Sequence, residues 1–179
     1  MEIVPVNPYN PENVIPTKAS GRISLMQWYA FLGDLGAIAV ENCPGNMDRF
    51  FYRDNILEGT LCRIMTERLG EDGPFDFLQD NAPIDTAVIV REWFEDHPHI
   101  NKLAWPANSP DMNPIENVFG LMALEWDPRF ERTAEALEAH AREVFAAVQR
   151  RPQIFTALSS SMPRRIQALI DAQGGSTKY

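Results

Sequence analysis

The sequence has no apolar run approaching the ~18 residues of a helical membrane span, so no transmembrane helix is read from it. No basic segment leading into an apolar stretch opens the chain, and a secretory signal is not read either. Cysteine is scarce: Cys43 and Cys62 are the whole supply, with 18 residues between them. They fall in different expected elements and match no metal-ligand spacing. They read as idle thiols in a reducing compartment, which excludes a disulfide scaffold. Positive charge is in short supply, with 16 Lys and Arg against 25 Asp and Glu, net -9. That balance opposes strong unassisted binding to a polyanion, because phosphate contacts need clustered cations. It suits a site that collects divalent cations. The phosphate-cradling, dinucleotide and nucleophile-elbow glycine motifs are all missing.

What is present is an ordinary globular composition, 45% hydrophobic and 23% charged over 179 residues. A chain of this length can bury roughly 70% of its unfolded surface, enough for a core without staples. Residues 1–20 hold Pro5, Pro8, Pro11 and Pro16 and read as an extended arm. An aromatic-rich run, 22–32, and a second, 37–41, flank Gly33-Asp34-Leu35-Gly36 and predict an antiparallel hairpin. Apolar residues at spacings of three and four predict a helix over 46–69, weakened at Gly59. Strands at 75–80 and 100–105 and helices at 85–96, 113–126, 133–151 and 161–173 follow. Antiparallel strands followed by alternating elements indicate a mixed α/β sheet. The domains read as the arm, a core over 21–130 and a helical segment over 131–179. The four tryptophans, Trp28, Trp93, Trp105 and Trp126, fall on apolar faces and read as core.

Two acids could carry chemistry. Asp80 ends a strand, where side chains project into the crevice beyond a sheet; its plain alternative is a solvated aspartate opening a turn. Glu116 lies at the third position of a helix that starts Asn113-Pro114, so it reads equally as half of a capping box. Carboxylates there could share divalent ions, and a pair of ions clamps the attacking and leaving oxygens of a phosphodiester. A third acid is expected for two ions. His97 and His99 read as surface polar groups at a helix end, too few to hold zinc. Residues 150–179 carry Arg150, Arg151, Arg164, Arg165 and Lys178 against the single acid Asp171. This basic segment could touch phosphates, or its arginines could simply be solvated.

The strings LQDNAP at 78–83 and WPANSPDMNPIENVFG at 105–120 resemble the catalytic core of Tc1/mariner-type transposases. The ending SMPRRIQALIDAQGGSTKY and the PYNPENVIPT stretch are similar to that family in the same order. The resemblance implies an RNase H-like mixed sheet flanked by helices, with extra C-terminal helices. It implies a DDE triad that binds two Mg²⁺ (or Mn²⁺) ions, cuts transposon ends and joins them to target DNA in the nucleus. By motif, Asp80 is the second acid and Glu116 the third, with 35 residues between them. The family's first aspartate lies on a central strand upstream of everything matched here. On that reading the catalytic core is incomplete and inactive alone, with strand edges left facing a gap. Asp34, in the hairpin turn, is no substitute by motif. DNA is the implied partner, a homodimer is compatible with it, and no membrane is. Two departures stand out: Asp85 occupies a place often held by histidine, and Glu125 and Asp127 fall where the family turns basic. The rival reading is a non-catalytic DNA-binding or protein-interaction module retained by a host, or a transposon relic.

Overall fold

A computed structural model of the chain describes residues 23–33, 36–80, 82–106, 109–110, 112–175 and 177. The expected arm over 1–20 and the turn residue Asp34 lie outside them. Strands β1 (Met26–Leu32) and β2 (Gly36–Cys43) pair antiparallel, as the hairpin signal requires. The register shifts between Ala30 and Phe31, where an extra residue on β2 makes a bulge.

A long helical rod follows. It opens with α1 (Arg49–Phe51), whose N-cap Asp48 accepts from the Phe50 and Phe51 N–H groups at 2.9 and 2.8 Å. It continues as a π-helical segment, Tyr52–Cys62, and ends as α2 (Arg63–Leu69) at Gly70, whose φ is 84°. Gly59 is no mere weak point in this rod. A Cβ there would stand 3.2 Å from the Asp54 carbonyl oxygen five residues back. Glycine therefore admits the wide-turn geometry that a larger residue would crowd.

Strands β3 (Phe75–Phe77) and β4 (Ile100–Lys102) pair parallel across α3 (Val88–Asp96). Both are shorter than the sequence pattern suggests, because each has one partner and the ladder ends with it. α4 (Pro114–Glu125), α5 (Ala134–Gln149) and α6 (Pro152–Asp171) complete the described chain. α6 starts well before the expected 161, with Pro152 in its first turn and Pro163 inside it. Its early turns form because Phe155 is fully buried in the core. The chain is mixed α/β as expected, but among the described residues its strands make two separate two-stranded sheets, not one.

Two apolar clusters hold these elements. The first joins Tyr52, Ile56, Leu57 and Leu61 of the π segment to Val90 and Trp93 of α3 and Ile100 of β4. The second joins Val118 and Met122 of α4 to Val144, Phe145 and Val148 of α5 and Phe155 of α6. Strand alternation lets β1 serve both. Trp28 and Leu32 pack on the first cluster, and Tyr29 and Phe31 pack on the second.

Candidate active site

The segment after β3 carries Asp80 out to an exposed turn. Its Oδ1 accepts from the Ala82 N–H at 3.2 Å, a local turn bond of the kind aspartate favours. Five residues on, Asp85 is buried, with 6% of its surface exposed. Burial, a side-chain hydrogen bond with Asp80 and the charge of Asp80 push its carboxyl up to about 7. The Asp85 carboxyl therefore keeps its proton to far higher pH than an ordinary aspartate. Lys102 on β4 opposes that rise, and its Nζ donates to the Asp85 carbonyl at 3.3 Å.

Tyr52, at the start of the π segment, closes the floor. Its hydroxyl donates to Gln79 Oε1. Burial and the charges of Asp85 and Asp80 hold the phenol well above its ordinary range. The Gln79 amide Nε2 is buried with no hydrogen-bond partner among the described residues. A buried donor left unsatisfied costs about 1–3 kcal/mol. Tyr52 and Lys102 carried no functional signal in sequence, because an apolar helix and a short strand explain them locally, and Gln79 had no role of its own within the LQDNAP string.

Glu116 stands on the first turn of α4. Asn113 caps that turn, its Oδ1 accepting from the Ile115 N–H at 3.2 Å. The other half of a capping box does not form. The Asn113 N–H donates instead to the Pro110 carbonyl at 3.0 Å. The Glu116 side chain is exposed and makes no hydrogen bond or ion pair among the described residues. Its neighbour Asn117 accepts from Arg165 at 2.6 Å. Asp80 and Glu116 do not belong to any described group of three or more ligands within 4.8 Å of one another.

The C-terminal arginines divide. Arg150 and Arg164 are exposed. Arg151 pairs with Glu125. Arg165 is 4% exposed, and its Nε donates to Ser161 Oγ at 2.8 Å. Arg165 is thus a clamp between α6 and the first turn of α4, not a solvated cation. Lys178 lies outside the described residues.

The histidine pair also departs from expectation. His97 and His99 keep only 24% and 20% of their side-chain surface exposed. His97 stacks on Trp93 with centroids 4.0 Å apart. Cys62 lies against them, its thiol pushed up to about 11 by burial and the Glu58 charge. Both cysteines are free, as expected, but Cys62 has metal-ligating neighbours that its position in sequence concealed.

Mixed α/β layers, with one exposed carboxylate in the turn after β3 and another on the first turn of α4, define a class: α/β domains with exposed acids at the ends of their elements. The chain belongs to the DDE superfamily endonuclease family, which it matches over residues 10–138. It is 36% identical over 180 residues to the transposable element Tc1 transposase of Caenorhabditis elegans, covering 96% of this chain and 60% of that protein. It is 35% identical over 176 residues to the Tcb1 transposase of Caenorhabditis briggsae, with the same coverage of 96% and 60%. The chain therefore spans about 60% of the length of these relatives. Among solved structures it resembles the Mos1 transposase catalytic domain with raltegravir and Mg, at a TM-score of 0.71, 21% identity, and coverage of 86% of this chain and 84% of that one. It also resembles the Mos1 mariner paired end complex with Mn, at 0.72 and 23%, covering 99% of this chain and 52% of that one. The expected RNase H-like transposase fold is borne out by these neighbours.

Proposed function

We propose that this chain is the endonuclease and strand-transfer part of a DNA transposase, acting in the nucleus on transposon ends and target DNA. The observation that carries this reading is the exposed, unpartnered Glu116 carboxylate, left free because the Asn113 N–H bonds the Pro110 carbonyl, on the string that resembles the family's. Asp80 is the second ligand in the reading, held in the turn after β3 by the Ala82 N–H. Both offer hard carboxylate oxygens, the donor type that Mg²⁺ and Mn²⁺ take. Bound there, such ions would neutralise charge at a phosphodiester and activate a water or hydroxyl. The chain's own residues set the stage. Asp85 holds a proton at its carboxyl and donates it in a hydrogen bond to Asp80, which orients that carboxylate. Arg165 fixes Asn117 and with it the turn that bears Glu116.

A two-ion centre needs a third carboxylate, and we infer that it arrives on a further strand. β1 and β3 pack on one apolar cluster yet belong to separate sheets. A strand laid between them would join the sheets, and a group on it could satisfy the Gln79 amide. The upstream segment of a transposase of this kind is the proposed source. DNA contact falls to Arg150 and Arg164, the exposed pair among the four arginines.

The test is nicking of supercoiled plasmid in Mg²⁺ or Mn²⁺, by this chain and by a chain extended with the upstream segment. Nicking by the extended chain, lost in Asp80→Asn and in Glu116→Gln, is the expected result. Nicking by the 179-residue chain alone that survives Asp80→Asn would overturn the site. A folded extended chain without any nicking favours the non-catalytic module.

A further inference from the structure

We propose that Glu58, Cys62 and His97 form a transition-metal site of the zinc class, separate from the acids of the proposed active site. One ligand atom from each lies within 4.8 Å of the others, the one such group among the described residues. Glu58 and Cys62 are one turn apart on the π segment, and His97 follows α3.

The hydrogen bonds around these side chains aim them. His97 Nδ1 sits 2.7 Å from the Trp93 carbonyl oxygen, which can only accept. Nδ1 therefore carries a proton, which leaves Nε2 as the ring atom turned to a metal. That Nε2 faces Glu58 Oε2 at 3.6 Å, beyond hydrogen-bond reach. Bonds of about 2.0–2.1 Å in a tetrahedron place ligands roughly 3.4 Å apart, close to this separation. Glu58 Oε2 is itself held by the Trp93 indole N–H at 2.9 Å. Trp93 thus fixes both an imidazole and a carboxylate, the outer-shell arrangement that metal ligands use.

The donor set selects the ion. A thiol sulfur, an imidazole nitrogen and one carboxylate suit Zn²⁺ and disfavour Mg²⁺, which wants an oxygen shell. Three protein ligands leave a fourth position, and a cavity of about 130 Å³ lined by Cys62, His97, His99 and Asp72 gives it room for water. The cavity also touches Gly73 and Phe75, and the Phe75 N–H donates to the His99 carbonyl at 3.2 Å. It therefore lies where β3 and β4 begin, whereas Asp80 lies beyond where β3 ends. An ion here would tie the π segment to the end of α3 at the root of the parallel pair.

Cobalt(II) reports such a site by a thiolate-to-metal charge-transfer band and by tetrahedral visible bands. Chelator-stripped, reduced full-length chain titrated with Co²⁺ should develop both at one equivalent, and Zn²⁺ should bleach them while excess Mg²⁺ does not. Cys62→Ser should remove the charge-transfer band. Glu58→Gln and His97→Gln should each weaken binding at least tenfold. Cys43→Ser and Asp80→Asn should leave the band intact. Wild-type chain that is folded by circular dichroism and gives no band overturns the site and leaves a histidine–carboxylate ion pair. A band that persists in Cys62→Ser, or disappears in Cys43→Ser, overturns the assignment. Should Cys62→Ser fail to fold, undiminished affinity in both folded Glu58→Gln and His97→Gln overturns it equally.

Discussion

The two ends of the β3–β4 pair hold different chemistry. At the outgoing end, Asp80 and Asp85 offer only oxygen, one exposed and one buried. At the incoming end, Glu58, Cys62 and His97 offer oxygen, sulfur and nitrogen, clamped by Trp93. The outgoing end is held by the Ala82 N–H on Asp80, by the hydrogen bond between Asp80 and Asp85 and by Lys102 on the Asp85 carbonyl. The incoming end is held by a buried indole that contacts two ligands. One short ladder thus positions an end suited to exchangeable hard ions and an end suited to a resident soft one. The difference lies in the donor atoms and in what fixes them.

The comparison breaks most visibly in activity. Asp80→Asn or Glu116→Gln in an extended, nicking-competent chain should cost on the order of 10²–10³ in rate, as does removal of one fixed charge-stabilising group. Plasmid nicking under single-turnover conditions measures it, and a loss under tenfold would place the hard-ion site elsewhere.

Next in size is the pH response of the outgoing end. The folded Asp85 carboxyl titrates near 7 against 3.8 ordinarily. The fold therefore favours its protonated form, and its contribution to stability is full below about 4 and lost as pH rises towards 7. At about 1.4 kcal/mol per unit, the loss amounts to a few kcal/mol. Asp85→Asn, which mimics the protonated form, should raise stability by about 1–2 kcal/mol at pH 5 and by a few kcal/mol at pH 8. Urea melts of chelator-treated protein at the two pH values decide this. An equal change at both would mean that Asp85 does not titrate in this window.

Smaller effects separate the arginines. Arg165→Ala removes a buried guanidinium from Ser161 and Asn117 and should destabilise the chain by about 2 kcal/mol. Arg164→Ala, exposed, should stay within about 0.5 kcal/mol in the same urea melts. Its effect belongs to DNA: the slope of log affinity on log salt should flatten by ~0.9. An unchanged slope in folded Arg164→Ala and Arg150→Ala would mean that the basic segment is merely solvated.

Sequence made the outgoing end legible because its signals are local. Asp80 sits inside one short motif, and Asn113-Pro114 announces the helix that carries Glu116. The incoming end was hidden because His97 meets Glu58 and Cys62 only through tertiary packing, and a Glu and a Cys one turn apart are no metal motif by themselves. The π segment was hidden for a different reason: its apolar residues recur at three and four just as in an α-helix, and Gly59 reads as a flaw until Asp54 is seen against it. Strand lengths were overread because a strand's apolar pattern does not say where its partner stops. The start of α6 was missed because Phe155 drives those early turns, and its burial is a property of the whole fold.

β1 sends alternate side chains into two apolar clusters, so neither cluster owns it. Opening either half strips one face of the same strand and weakens its pairing with β2. The two halves should therefore exchange their most protected amides with a common free energy, as one cooperative unit. Damage at Trp28 would then be felt by α5, and damage at Tyr29 by the π segment, although no helix of one cluster has to touch the other. The bulge between Ala30 and Phe31 falls midway along that shared strand, the point at which a slip of one residue would exchange the two faces and unmake both cores together.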